Sequence, residues 1–125
     1  MMSETKFKQW FTRNWNGWIS AYEPRRGGTV GIADIQILIR GRLVPIELKV
    51  GKLDDNNLVT NDIRPAQIRW HWELSQAGGQ SFFLIGVMDG NEPNRAFYCR
   101  GGMAQSLLKP VELSKFRELD LLDIT

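Results

Sequence analysis

The stretch GIADIQILIRGRLVPIELKV, residues 31–50, decides how this chain folds. Ile35, Ile37 and Ile39 alternate with Asp34, Gln36, Leu38 and Arg40; beyond Gly41 and Arg42, Val44, Ile46, Leu48 and Val50 alternate with Pro45, Glu47 and Lys49. Period-two alternation marks strands with one face on a core, so the stretch reads as a β-hairpin of strands 33–40 and 43–50. With Gly41-Arg42 as a two-residue turn, Arg40 lies opposite Leu43, Gln36 opposite Glu47 and Asp34 opposite Lys49. Asp34 and Glu47 are then diagonal neighbours about 7–8 Å apart at the backbone, near enough for both carboxylates to hold one divalent cation. A one-residue slip would send them to opposite faces and expose the aliphatic row, so the hydrophobic pattern and the acidic pair favour the same register.

Outward from the hairpin, residues 3–15 read as an amphipathic helix carrying Phe7, Trp10, Phe11 and Trp15 on one side. Ser3 suits the N-cap, and Glu4 falls in the first turn, where its charge complements the helix dipole. Residues 18–23 read as a strand. The segment Pro24-Arg25-Arg26-Gly27-Gly28 is an exposed, positive loop suited to backbone phosphates. Between Lys49 and Arg64 lies a polar loop, long for a small domain and suited to a flap near substrate. Its Asp54, Asp55, Asn56 and Asn57 lack the spacing of a calcium loop.

Pro65 opens a helix that ends at Gly78-Gly79 and carries Gln67, Trp70, His71 and Leu74 along one side. His71, the only histidine, reads as packed or hydrogen-bonded beside the tryptophans. The near-continuous apolar run 81–88 is the mark of a central strand covered on both faces, and 95–100 is a shorter strand. Cys99 has no activating neighbour in sequence and reads as core. In the tail, Ala104, Leu107 and Leu108 have helical spacing, Pro110 is a break, and a second, leucine-rich helix follows; its surplus of apolar residues covers the sheet or forms a dimer surface.

The chain has 125 residues, enough for one domain (1–125) with a real core. A single cysteine excludes an internal disulfide and a cysteine metal cluster, which fits a reducing, cytoplasmic setting. No run is long or apolar enough for a secretory signal or a membrane span. The net charge of +2 is unevenly spread: residues 1–52 carry +5 and residues 53–125 carry −3, so the positive excess lies with the acidic pair and suits a polyanion.

Asp34, separated by twelve residues from Glu47-x-Lys49, resembles the PD-(D/E)xK nuclease superfamily, and in particular the small Holliday-junction resolvases and stand-alone phage VRR-NUC nucleases. The order of helix, strand, hairpin, helix and strand extends the resemblance over most of the chain. Ala33 stands where the motif has proline, a position that shapes the strand and supplies no ligand.

The resemblance implies an α/β, restriction-endonuclease-like core, with a mixed central sheet of about five strands flanked by helices. It implies a magnesium site, with manganese as a substitute, formed by Asp34, Glu47 and the carbonyl of Leu48. Lys49 would orient or deprotonate the attacking water or stabilise the phosphate, Gln67 would orient a phosphate, a water or Lys49, and Glu4 or Glu23 would complete the acidic cluster. Hydrolysis would leave a 5′-phosphate and a 3′-hydroxyl. Arg25, Arg26, Gly27, Gly28, Lys52 and Arg64 are the expected DNA contacts. The expected function is that of a structure-selective endonuclease acting on branched DNA as a homodimer; the alternatives are a nicking or flap nuclease and a non-catalytic DNA-binding or structural relative.

Overall fold

The computed structural model describes residues 4–21, 33–53, 58–60, 63–89, 92–109, 111–112, 114 and 116–118. It is an α/β fold in which one mixed sheet lies between two helical layers. Helix α1 (Glu4–Asn14) leads to strand β1 (Ile19–Ala21), then to the hairpin β2 (Ile35–Ile39) and β3 (Arg42–Leu53). Strand β4 (Leu58–Thr60) and helix α2 (Pro65–Gln76) follow, then β5 (Phe82–Asp89), β6 (Glu92–Arg100), a 3₁₀ segment (Gly101–Leu108), and the short β7 (Val111–Glu112) and β8 (Arg117–Glu118). The sheet order is β1-β2-β3-β5-β6-β8, with β4 bonded to the far end of β3 and to β7. Among the described strands only β3 and β5 are parallel, and α2 makes the crossover that parallel neighbours require.

Alternation sorts the core into two. Toward α1, Phe7, Phe11 and Trp15 pack on Ile35, Ile37, Val44, Ile46, Leu48 and Leu84. On the other face, Phe83, Ile85 and Phe97 pack with Ala104 and Phe116, and Ile68 of α2 closes over them. Strand β5 contributes to both, which explains its unbroken apolar run. Cys99 is half-buried against the second core, and burial pushes its thiol up to about 12.

The hairpin differs from the expected register by two residues. Its turn is Arg40-Gly41, with φ of 49° and 78°, and the pairs are Leu38 with Leu43, Gln36 with Pro45, and Ile35 with Ile46. Two consecutive left-handed residues make a type I′ turn, whose twist matches that of the flanking strands. A shift of two preserves every face, so the aliphatic and polar rows stand as expected while the partners change. Asp34 comes opposite Glu47 rather than Lys49. Arg40 is left in a conformation that favours asparagine or glycine. Arg40→Asn is therefore expected to raise stability by about 0.5–1 kcal/mol, read as a higher urea midpoint at unchanged slope.

Three further expectations fail. Much of the supposed flap is strand: β3 continues to Leu53, and Lys52 and Leu53 pair with Thr60 and Val59. Strand β6 is longer than expected, and where a second tail helix was expected the described residues form β7 and β8. The tail's Ala104 and Phe116 are buried over the sheet, whereas Leu108 is half-exposed. No helix among the described residues is long and apolar enough to cross a membrane.

Candidate active site

Glu47 and Lys49 stand on the same face of β3 as Phe83 and Ile85 on β5, at positions the second core would otherwise fill. Both are buried, Glu47 to 1% and Lys49 to 2% exposure. Asp34 sits where β2 begins. Its Oδ2 accepts a hydrogen bond from the Leu48 N–H at 3.0 Å, replacing a backbone bond of the ladder at the edge that β2 leaves uncovered. In an extended strand a residue's N–H and C=O point to the same side, so the Leu48 carbonyl belongs to this edge too.

Gln67 ties α2 to the acid. At the third residue of the helix, its Oε1 accepts the Arg64 N–H at 3.0 Å, and its Nε2 donates to Glu47 Oε1 at 2.6 Å. One amide thus satisfies an orphan donor at the helix start and fixes the glutamate's rotamer. The sequence offered Gln67 as an orienter of a phosphate, a water or Lys49; it orients Glu47. Lys49 Nζ lies 3.9 Å from the same Glu47 oxygen and 3.4 Å from Glu4 Oε1. Glu4 therefore meets Lys49 across the end of α1, so its role extends beyond the helix dipole.

Burial, with the Asp34 carboxylate adjacent, pushes the Glu47 carboxyl up to about 8, a rise that Lys49 only partly offsets. Glu47 Oε2 has no hydrogen-bond partner among the described residues. A buried carboxyl with an unpartnered oxygen, a second carboxylate beside it and a main-chain carbonyl on the same edge form a hard-oxygen donor set. A divalent cation there would relieve both the repulsion and the missing partner. No cluster of three His, Cys, Asp or Glu side chains occurs among the described residues. Any such ion would be held by one or two carboxylates with water and main chain, as magnesium commonly is. The sequence matches no family model, and no curated protein compared with it is similar.

Of the expected DNA contacts, Lys52 and Arg64 are exposed, Arg64 at the mouth of α2 beside Gln67. Arg25, Arg26, Gly27, Gly28 and the competing acid Glu23 lie outside the described residues.

Sequence reasoning missed Ser81. Its hydroxyl lies 2.6 Å from His71 Nδ1, and the imidazole, wholly buried, rests against Phe83 at 4.3 Å between ring centroids. A Cβ on Gly101 would collide with Ser81 Oγ and His71 Nδ1, so glycine is required there. His71 thus locks α2 to the start of β5, and burial lowers its pKa from 6.5 to about 4. As the only imidazole, it should titrate by proton NMR with a midpoint near 4. Between pH 6.5 and 4 the unfolded chain takes up a proton that the folded chain refuses. The contribution of neutral His71 to stability is therefore fully present above pH 6.5 and is lost as pH falls to 4, a change of roughly 3 kcal/mol. A midpoint near 6.5 would refute the buried placement.

Proposed function

We propose that the chain is a magnesium-dependent DNA endonuclease with a restriction-endonuclease-like core, in which Asp34, Glu47 and Lys49 carry out phosphodiester hydrolysis. One observation carries the reading: an acid and a base are buried side by side where apolar residues would pack. Taking each charge out of water costs several kcal/mol. Stability alone does not explain that expense, whereas catalysis does.

Asp34, Glu47 and the Leu48 carbonyl would hold the cation, which supplies a Lewis acid for the phosphoryl oxygen and lowers the pKa of a bound water. Gln67 keeps Glu47 aimed, and Glu4 steadies the Lys49 ammonium. Lys49 orients the attacking water or stabilises charge gathering on the phosphate. Hydrolysis would leave a 5′-phosphate and a 3′-hydroxyl.

Branched DNA is the proposed substrate and a homodimer the proposed assembly, since symmetric resolution of a junction requires two cuts related by a two-fold axis. Incubation with labelled junctions, flaps and plain duplex should give cleavage only with magnesium or manganese, fastest on the junction. No cleavage of any DNA with either metal would leave a non-catalytic DNA-binding relative. Light scattering should give about twice the 14.4 kDa chain mass. A single-chain mass unchanged by junction DNA would point instead to a nicking or flap nuclease.

A further inference from the structure

The site face of the sheet carries a second feature, an apolar row open to solvent. Ile19 pairs with Ile37, and the ladder extends one step as Leu38 N–H donates to the Trp18 carbonyl at 3.3 Å; Leu38 in turn pairs with Leu43. Because Ile19 packs toward α1, alternation turns Trp18 to the other side. Trp18, Leu38 and Leu43 therefore form a transverse row across three strands, 49%, 43% and 57% exposed. Ser20, Gln36 and Pro45 form the next row on that face, and Asp34 with Glu47 the one after.

Three half-exposed side chains offer roughly 300 Å², well short of the ~800 Å² per partner of a standard protein interface. The area suits a flat aromatic ligand better than a second copy. The turn beside the row bears exposed Arg40, a charge suited to a group that carries phosphates beside an apolar face. A second copy would bring two such arginines together. We propose that Trp18, Leu38 and Leu43 form a stacking platform for an unpaired base of the DNA strand entering the site. The proposal deepens the nuclease reading and rests on it for the identity of the polymer.

A base in a duplex has both faces stacked and cannot use such a platform, whereas one at a bulge or branch can. Leu43 and Glu47 are four residues apart on one strand, about 13–14 Å, which spans about four nucleotides of a stacked strand. The favoured substrate therefore carries an unpaired base about four nucleotides from the scissile phosphate.

The test uses a duplex with one unpaired 2-aminopurine and its fully paired counterpart, each titrated with the protein in EDTA. Wild type should quench the unpaired base and bind the bulged duplex about tenfold tighter than the paired one. Trp18→Ala should bring that ratio close to one, and Trp18→Phe should retain it. Joint Leu38→Ala and Leu43→Ala changes provide an independent variant should Trp18→Ala fold poorly, and should also lower the ratio. Equal affinity of wild type for both duplexes, or a ratio untouched by either variant, overturns the platform. So does equal weakening on both duplexes accompanied by conversion of a dimer to a monomer, which would identify a second copy as the occupant. A magnesium cleavage assay on the same duplexes separates the two readings. Trp18-dependent binding without cleavage would remove the nuclease and leave the platform; cleavage without Trp18 dependence would do the reverse.

Discussion

Glu47→Gln is expected to lower magnesium-dependent DNA cleavage by about 10³-fold or more, because a metal's stabilisation of transition-state charge amounts to several kcal/mol. The glutamine keeps the glutamate's shape and can still accept the Gln67 amide, so the sheet should remain intact. Asp34→Asn should act alike, since its amide oxygen can still accept the Leu48 N–H. Binding to DNA should survive both changes, as Asp34→Asn removes negative charge facing phosphate and Glu47→Gln adds none. Gln67→Leu should be milder, about 10–100-fold, because it touches a ligand and not the ion. Single-turnover cleavage in magnesium, with urea unfolding of each variant as a control, checks the series. A Glu47→Gln variant cleaving at the wild-type rate would remove the carboxylate from the mechanism.

Phe7→Ala is expected to lower the free energy of unfolding by about 3–5 kcal/mol, a large part of the about 5–15 kcal/mol typical of a domain. Phe7 is wholly buried, stacks on Trp10 at 5.8 Å, and sits so close to β5 that a Cβ on Gly86 would fall 2.8 Å from its ring. Backbone packed this tightly cannot collapse into the space the ring leaves. The first turn of α1, which brings Glu4 to Lys49, is anchored one turn later by Phe7, so cleavage should fall with stability. Urea denaturation measures the effect, and a loss below about 1 kcal/mol would mean that α1 is not docked as described.

Both helices were legible in the sequence because their signals are local. Aromatic spacing marked α1, and Pro65 and the glycine pair bounded α2, where Gly78 takes φ of 89°. The central strand followed from its apolar run. The hairpin was legible in its faces but not in its partners, because a glycine at 41 fits either turn position and Arg40 gives no hint that it adopts a left-handed angle. Parity rescued the site: a shift of two residues left Asp34, Glu47 and Lys49 on one face and brought the carboxylates directly opposite. The extension of β3 was hidden because its pairing is set by β4, eight residues further on for Lys52. In the tail, Ala104 and Leu107 are three residues apart, a spacing that suits a 3₁₀ turn as well as an α-helix. The His71–Ser81 lock joins residues ten apart on different elements, and no pattern in either element announces it.

Glu47 and Lys49 occupy a stretch of β3 whose neighbours on β5 are Phe83 and Ile85, and under the proposed nuclease function this sets heat resistance against turnover in the same two codons. Replacing a buried ion pair with packed hydrophobic residues is often neutral or stabilising by about 1–4 kcal/mol. A randomised library screened only for survival on heating would therefore accumulate leucine, methionine or isoleucine at 47 and 49, yielding hardier proteins that have lost their chemistry. Thermal tolerance would need to be sought elsewhere, at Arg40 for example, to leave those two positions untouched.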